Sequence, residues 1–277
     1  MGFRINTNTA SISAQRSLGN VNREQADGLA KLASGSRIVK ASDDAAGLAI
    51  SEKLKANIRS SMQADRNAND GISMIQVAEG GLNEVQNILT RFRELAIQSS
   101  SDTVGETERE FTDKEFQQLK LELQRISEVT QFNGTSLLDG EGDEKEFQIG
   151  LNNDAFQDRI VYDASAISAG LDALGIDDME VASKEGAQDS LADIDSAITT
   201  VSGHRATLGA LQNRLISTSQ NLQISVENQS AANSRIRDLD YASETAKNVQ
   251  KSILQNAGTS VLAQANSKDQ AALRLIG

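Results

Sequence analysis

Few side chains in this 277-residue sequence have the types and spacing that chemistry needs. Asp43 and Asp44 are adjacent carboxylates, as in an acid pair or a divalent-cation site. They stand at the head of a long apolar-periodic stretch, where negative charge opposes a helix dipole. Capping of a helix start is therefore the reading that their position favours. His204 is the single imidazole, and no Cys or second His exists to join it as a ligand. Its place among seam positions gives it a structural role. The 39 carboxylates are dispersed along helical stretches as solvated faces. No nucleophile–base arrangement, glycine-rich phosphate loop or metal-ligand cluster is visible. The sequence reads as a non-enzyme with no cofactor and no metal. Asn133-Gly134-Thr135 and Asn228-Gln229-Ser230 fit the glycosylation tripeptide, which carries meaning only in a eukaryotic secretory context.

With chemistry set aside, composition describes the scaffold. Pro, Cys and Trp are absent, aromatics are 3%, and aliphatic side chains must build any core. Absence of Pro suits long uninterrupted helices. A net charge of −12 argues against nucleic acid as a partner, since that needs concentrated positive charge. No apolar run is long enough to span a membrane. Met1-Gly2-Phe3-Arg4-Ile5-Asn6 lacks the apolar core of a secretory signal, so if the protein leaves the cell a dedicated apparatus must read something else.

Periodicity predicts three long helices. The first runs from near Asp43 to near Ser100, roughly 85 Å at 1.5 Å per residue. Within it Ile75, Ala78, Leu82, Val85, Leu89, Phe92 and Ala96 keep strict 3-4 spacing, an a/d seam for helix-on-helix packing. Leu54, Ile58 and Met62 continue an apolar stripe upstream. A second helix is expected from about Thr112 to Thr130, with Thr112 and Glu115 at capping-box spacing and Phe116, Leu119, Leu123 and Ile126 as its seam. The third spans about Ser190 to Leu239. Ile194, Val201, Leu208, Leu215, Leu222, Gln229 and Ile236 recur every seven residues there, with Leu211 on the companion seam. His204, Thr218 and Ser225 also fall on that companion seam, which predicts partial exposure or an interface with another chain. The expected fold is mainly α, an elongated antiparallel helical bundle or coiled coil formed by the N- and C-terminal regions.

Residues 131–186 break this pattern. Turn signals cluster at Asn133-Gly134, Asp139-Gly140 and Asn152-Asn153. Phe147-Gln148-Ile149 and Arg159-Ile160-Val161-Tyr162 read as short strands of a small β-hairpin tip. The ends differ again. Residues 1–42 hold only ten larger apolar side chains, among them Ile5, Ile12, Leu18 and Val21. Residues 236–277 are similar, with Leu254, Val261 and Leu262 in an amphipathic repeat. Such arms lack the apolar surface to offset their own ordering entropy and are expected to order only against neighbours. The expected division is therefore terminal arms at 1–42 and 236–277, a helical core at 43–130 and 187–235, and an outward-facing segment at 131–186.

Six stretches in order carry a resemblance to bacterial flagellin over nearly the whole chain. Arg4-Ile5-Asn6-Thr7-Asn8 looks like the family's opening. Leu29-Ala30-Lys31-Leu32-Ala33-Ser34-Gly35-Ser36-Arg37-Ile38, followed by Asp43-Asp44-Ala45-Ala46-Gly47-Leu48-Ala49-Ile50, resembles its N-terminal signature. Thr130-Gln131-Phe132-Asn133-Gly134 is similar to the turn after its second helix. Leu208-Gly209-Ala210-Leu211-Gln212-Asn213-Arg214-Leu215 is similar to its returning helix. The stretches Ser234 to Ala242 and Ala257 to Asn266 resemble its C-terminal signature. Large variable outer domains are missing, and Val39-Lys40 stand where many members have Asn-Ser.

The resemblance implies a subunit exported and polymerised into the bacterial flagellar filament, an extracellular structure for swimming. Its implied partners are further copies of itself, the flagellar export apparatus and an export chaperone, the filament cap and hook-associated proteins, and in some filaments other flagellins. It also implies that Arg91, Leu95 and Glu115 form a patch recognised by the vertebrate Toll-like flagellin receptor. From the residues alone, Arg91 and Leu95 lie four apart on one helix face, off the main seam, where an interface is expected. Two other function classes stand against the filament subunit. A hook–filament junction adaptor shares the end-paired plan, although the run from Ala257 to Asn266 favours flagellin. An enzyme has no visible site.

Overall fold

The computed structural model describes the backbone of residues 7–274 and the side chains of residues 7–267. Ile5 lies outside the described residues. Helices dominate, as the periodicity requires. They are α1 (Thr9–Ser34), α2 (Ala45–Ser99), α3 (Glu106–Val129), α4 (Leu171–Leu174), α5 (Lys184–Arg237) and α6 (Tyr241–Arg274). Two antiparallel hairpins interrupt them, β1 (Gln131–Phe132) with β2 (Thr135–Ser136) and β3 (Lys145–Gln148) with β4 (Arg159–Tyr162). The chain forms two compact units, Met1–Ala56 with Asn228–Gly277, and Asn57–Glu227.

In the larger unit the predicted seam is the core. Ile75, Leu82, Val85, Leu89 and Phe92 of α2 are wholly buried, as are Leu208 and Leu215 of α5, with Leu211 nearly so. α2 and α5 run antiparallel, since Arg93 bonds Asp195 at 2.7 Å and Asp65 bonds Ser219 at 2.5 Å. Phe92 and Phe116 of α3 pack with ring centroids 4.3 Å apart, a tilted aromatic contact. The seam fades downstream. Leu222 is only half-buried, and Met62 is exposed while Ser61 beside it is buried. Of the expected apolar stripe upstream of Ile75, Leu54 and Ile58 are half-buried and Met62 is exposed, and in that last stretch α5 offers Ser219 and Gln223 to bond Asp65.

Helix starts also differ from the spacing argument. α3 begins at Glu106, and Thr112 lies inside it, its hydroxyl bonding Glu108 O at 3.0 Å. Glu106 and Glu108 supply the first-turn negative charge instead. Arg109 donates to Ser99 O and Ser101 O at 2.8 and 2.9 Å, bracing the turn where α2 ends. The turn at Asn133-Gly134 has φ of 50° and 77°, the two-residue hairpin geometry that this pair favours. On β4, Ile160 and Tyr162 point into the core and Val161 outward. The Tyr162 hydroxyl donates to Leu137 O at 2.7 Å.

In the smaller unit α1 packs along α6 in antiparallel register. Asn8 donates to Ala265 O at 3.0 Å, Lys251 to Glu24 O at 3.0 Å, and Tyr241 to Leu32 O at 3.1 Å. Gly35 ends α1 in the left-handed region at φ 66°, a conformation glycine adopts without strain. The turn is then locked to the α5–α6 junction. Leu239 N donates to Gly35 O, Arg37 N to Arg237 O, and the Arg37 guanidinium to Ile236 O.

Candidate functional site

Among the described residues no concave catalytic centre presents itself. The surfaces able to act are helix faces and one loop, and each is built by local sequence.

Asp43 and Asp44 organise the link between α1 and α2. Asp43 accepts from the Lys40 and Val39 N–H groups at 3.0 and 3.1 Å, and these bonds hold its carboxyl below the usual carboxylate range. Asp44 accepts from Gly47 N at 2.8 Å just ahead of α2. Both precede the helix rather than occupying its first turn. Lys40 reaches Asp27 at 3.2 Å, so the unusual Val39-Lys40 pair ties the link to α1 while Ile38 turns inward.

The outward face of the α1–α6 pair is apolar. Ile12, Leu29, Ile253, Leu254 and Val261 are each about half exposed or more. Leu18, Val21 and Leu262 are half-buried between the helices. Within the described residues of this unit, Ile38 is the only fully buried large hydrophobic. A hollow of about 540 Å³ lined by Leu18, Val21, Leu254 and Val261 runs between α1 and α6.

On the larger unit Arg91 donates to Glu115 at 2.7 and 2.9 Å and to Glu94 at 2.8 Å. These side chains are roughly half exposed, and the hydrogen bonds that Arg91 donates to Glu94 and Glu115 hold its guanidinium more firmly charged. Leu95 is placed differently. It is 1% exposed and belongs to the core with Phe92, Phe116 and Val181. A leucine off the main seam reads as surface only if nothing covers it, and here the core cluster extends to Met179 and Val181 after α4.

His204 is half-buried and hydrogen-bonds the backbone of Ser168, and burial pushes its imidazole below the ordinary value. Two features escaped sequence reasoning. Lys120 is buried, its ammonium bonded to Asp177 O and Met179 O. Phe156 is 90% exposed. A charged residue at a seam-adjacent position, and an aromatic inside a polar turn, were the only available signals. Among the described residues no three His, Cys, Asp or Glu side chains are placed to hold a metal, and no helix is long and apolar enough to cross a membrane.

The sequence profile of the bacterial flagellin N-terminal helical region matches residues 5–143, and that of the C-terminal helical region matches residues 191–276. The chain belongs to the bacterial flagellin family. It is 46% identical over 275 residues to a flagellin of Halalkalibacterium halodurans, covering 98% of this chain and 99% of that protein. A flagellar filament core protein of Brachyspira hyodysenteriae is 40% identical, with 98% and 99% coverage. The crystal structure of Bacillus cereus flagellin is 31% identical with a TM-score of 0.51, covering 57% of this chain and 88% of that one. The N-terminal segment includes α1 and the C-terminal segment includes α6, the two helices that carry exposed aliphatic side chains.

Proposed function

We propose that this chain is exported and polymerises into the extracellular flagellar filament, with the α1–α6 pair as its principal assembly surface. The carrying observation is the row of exposed aliphatics on a pair of helices that together bury almost none of their larger apolar side chains. Each added copy covers surface that a lone copy leaves in water, at roughly 25 cal/mol per Å² removed. Subunits related by one rotation and rise give an open helical polymer. In this proposal the terminal arms are 1–42 and 236–277, the helical core is 43–130 and 187–235, and 131–186 faces outward. The test is seeded growth of purified protein followed by electron microscopy, with limited proteolysis of the unseeded monomer. Fibres, and cleavage within 1–42 before seeding, are expected. Persistent monomers after seeding overturn the proposal.

A second reading concerns Arg91 and Glu115. Their exposure and mutual bonding give a fixed, charged contact point suited to recognition by the vertebrate Toll-like flagellin receptor. In that reading Leu95 acts through packing under the patch, not by touching the receptor. Receptor-reporter cells exposed to Arg91→Ala monomers are expected to respond at least tenfold less, with unchanged thermal melting. An unaltered response removes the reading.

A further inference from the structure

Glu244 is a buried carboxylate in the helix pair, 8% exposed and set in the first turn of α6. Gly28 of α1 lies against it and is buried too. A methyl group on Gly28 would meet Glu244 Oε1 at 3.2 Å, closer than ordinary van der Waals contact. The helix dipole and Lys247 Nζ, 3.5 Å from Oε2, offset part of the cost of taking this carboxylate out of water. One turn along the same face, Asn248 Oδ1 is buried with no hydrogen-bond partner among the described residues. Aliphatic side chains at these two places would hold the helices together more strongly, so strength is not what Glu244 and Asn248 contribute.

Two further contacts follow the same plan, a large side chain of one helix over a glycine of the other. Leu18 of α1 rests on Gly258 of α6, where an added methyl would touch Leu18 Cδ1 at 3.4 Å. Tyr241 of α6 covers Gly35, its hydroxyl 3.1 Å from the place of a methyl there and donating to Leu32 O. The glycines lie on both helices, and a single alignment satisfies all three contacts. Sliding α1 by one seam step puts Leu18 opposite Leu262 or Gln255, and Glu244 opposite Leu32 or Gln25. Large then meets large, and the carboxylate loses the space that glycine leaves for it.

We infer that Gly28 with Glu244, Leu18 with Gly258, and Gly35 with Tyr241 fix the register of α1 against α6, with Glu244 as the positioning residue. A polar residue at a seam position sets register at a cost in stability. Register matters here because Ile12 and Leu29 stand exposed on α1, and Leu254 and Val261 on α6. A slip of one seam step moves one set against the other by about 5 Å at 1.5 Å rise per residue, which reshapes the joint apolar surface that a neighbouring copy covers. The inference rests on the filament reading and adds what aligns its assembly surface.

Exchanging large for small tests it. Gly28→Leu is expected to slow seeded growth about tenfold, because the seat for Glu244 is filled. Gly28→Leu combined with Glu244→Ala again sets large against small, and is expected to grow within about threefold of wild type. Register is read by adding Ser11→Cys and Asn266→Cys to each protein, since these native side chains bond at 2.8 Å and the sequence has no Cys of its own. After growth and oxidation, the disulfide within one chain is expected in filaments of the reporter alone and of the combined variant. Gly28→Leu filaments are expected to give at least about threefold less, because a slip of one seam step carries the two positions out of disulfide reach. Wild-type growth or wild-type disulfide yield with Gly28→Leu overturns the register inference and leaves the filament reading intact. A combined variant no better than Gly28→Leu alone does the same, and it decides the matter if Gly28→Leu forms no filaments. Failure of wild-type protein to grow overturns both.

Discussion

The two units are made of the same kinds of helix and are stabilised differently. Asn57–Glu227 closes its own core, because three helices and the β4 hairpin converge on Ile75, Leu82, Leu89, Phe92, Phe116 and Leu208. The other unit is a helix pair with little inside it, as Ile12, Leu254 and Val261 remain at the surface. Two helices in contact share one seam, and the outer half of each apolar face stays wet unless a further layer covers it. One unit closes its own core, whereas the helix pair leaves most of its larger apolar side chains at or near the surface. The difference teaches where mutation harms folding and where it harms assembly.

The sharpest break in the comparison is removal of the arms. Trimming the chain to residues 57–227 is expected to abolish pelleting of fibres in sedimentation, while cooperative melting by circular dichroism survives. Fibres from the trimmed chain, or loss of cooperative melting, erase the distinction between units. Next in size is Phe92→Ala, expected to cost roughly 3–5 kcal/mol in urea unfolding because it empties the contact with Phe116. Leu254→Ala is its counterpart in the helix pair. It should shift monomer unfolding by less than about 0.5 kcal/mol yet slow seeded growth, since Leu254 is half exposed until covered.

Smaller effects sharpen the picture through pH. Burial, with Asp139 and Asp163 nearby, raises the Tyr162 phenol well above its ordinary 10.0. The folded state therefore prefers the neutral phenol. That contribution is complete below pH 10.0 and is lost progressively as pH rises above it. Alkaline unfolding of the larger unit should be shallower in Tyr162→Phe, which itself costs about 1–2 kcal/mol at neutral pH by stranding Leu137 O. An unchanged alkaline slope would remove Tyr162 as the cause. The smallest effect belongs to His204. Its lowered value, set first by burial, makes stability present above pH 6.5 decline as pH falls through the titration. A ring-proton NMR titration midpoint at or above 6.5 would contradict this.

Much of this was legible from residue order. The spacing from Ile75 to Ala96 dictated a helix face, and absence of Pro allowed α2 to continue to Ser99. Asn133-Gly134 dictated a two-residue hairpin, because few other pairs accept positive φ twice. The poverty of the end segments in large apolar side chains was equally visible. These are local properties, fixed by neighbours within a few residues.

Only the tertiary structure decided which off-seam residues are covered. Lys120 went inside because the segment from Asp177 to Val181 lies along α3 and supplies carbonyls for the ammonium, and Leu95 belongs to the same core cluster as Phe116 and Val181. Met62 stayed outside because α5 faces that stretch with Ser219 and Gln223. Phe156 stands out because buried Asp158 and exposed Asp154 tie its loop through backbone N–H groups. Periodicity names the face of a helix, but burial depends on what a distant part of the chain lays against it, and that requires the fold.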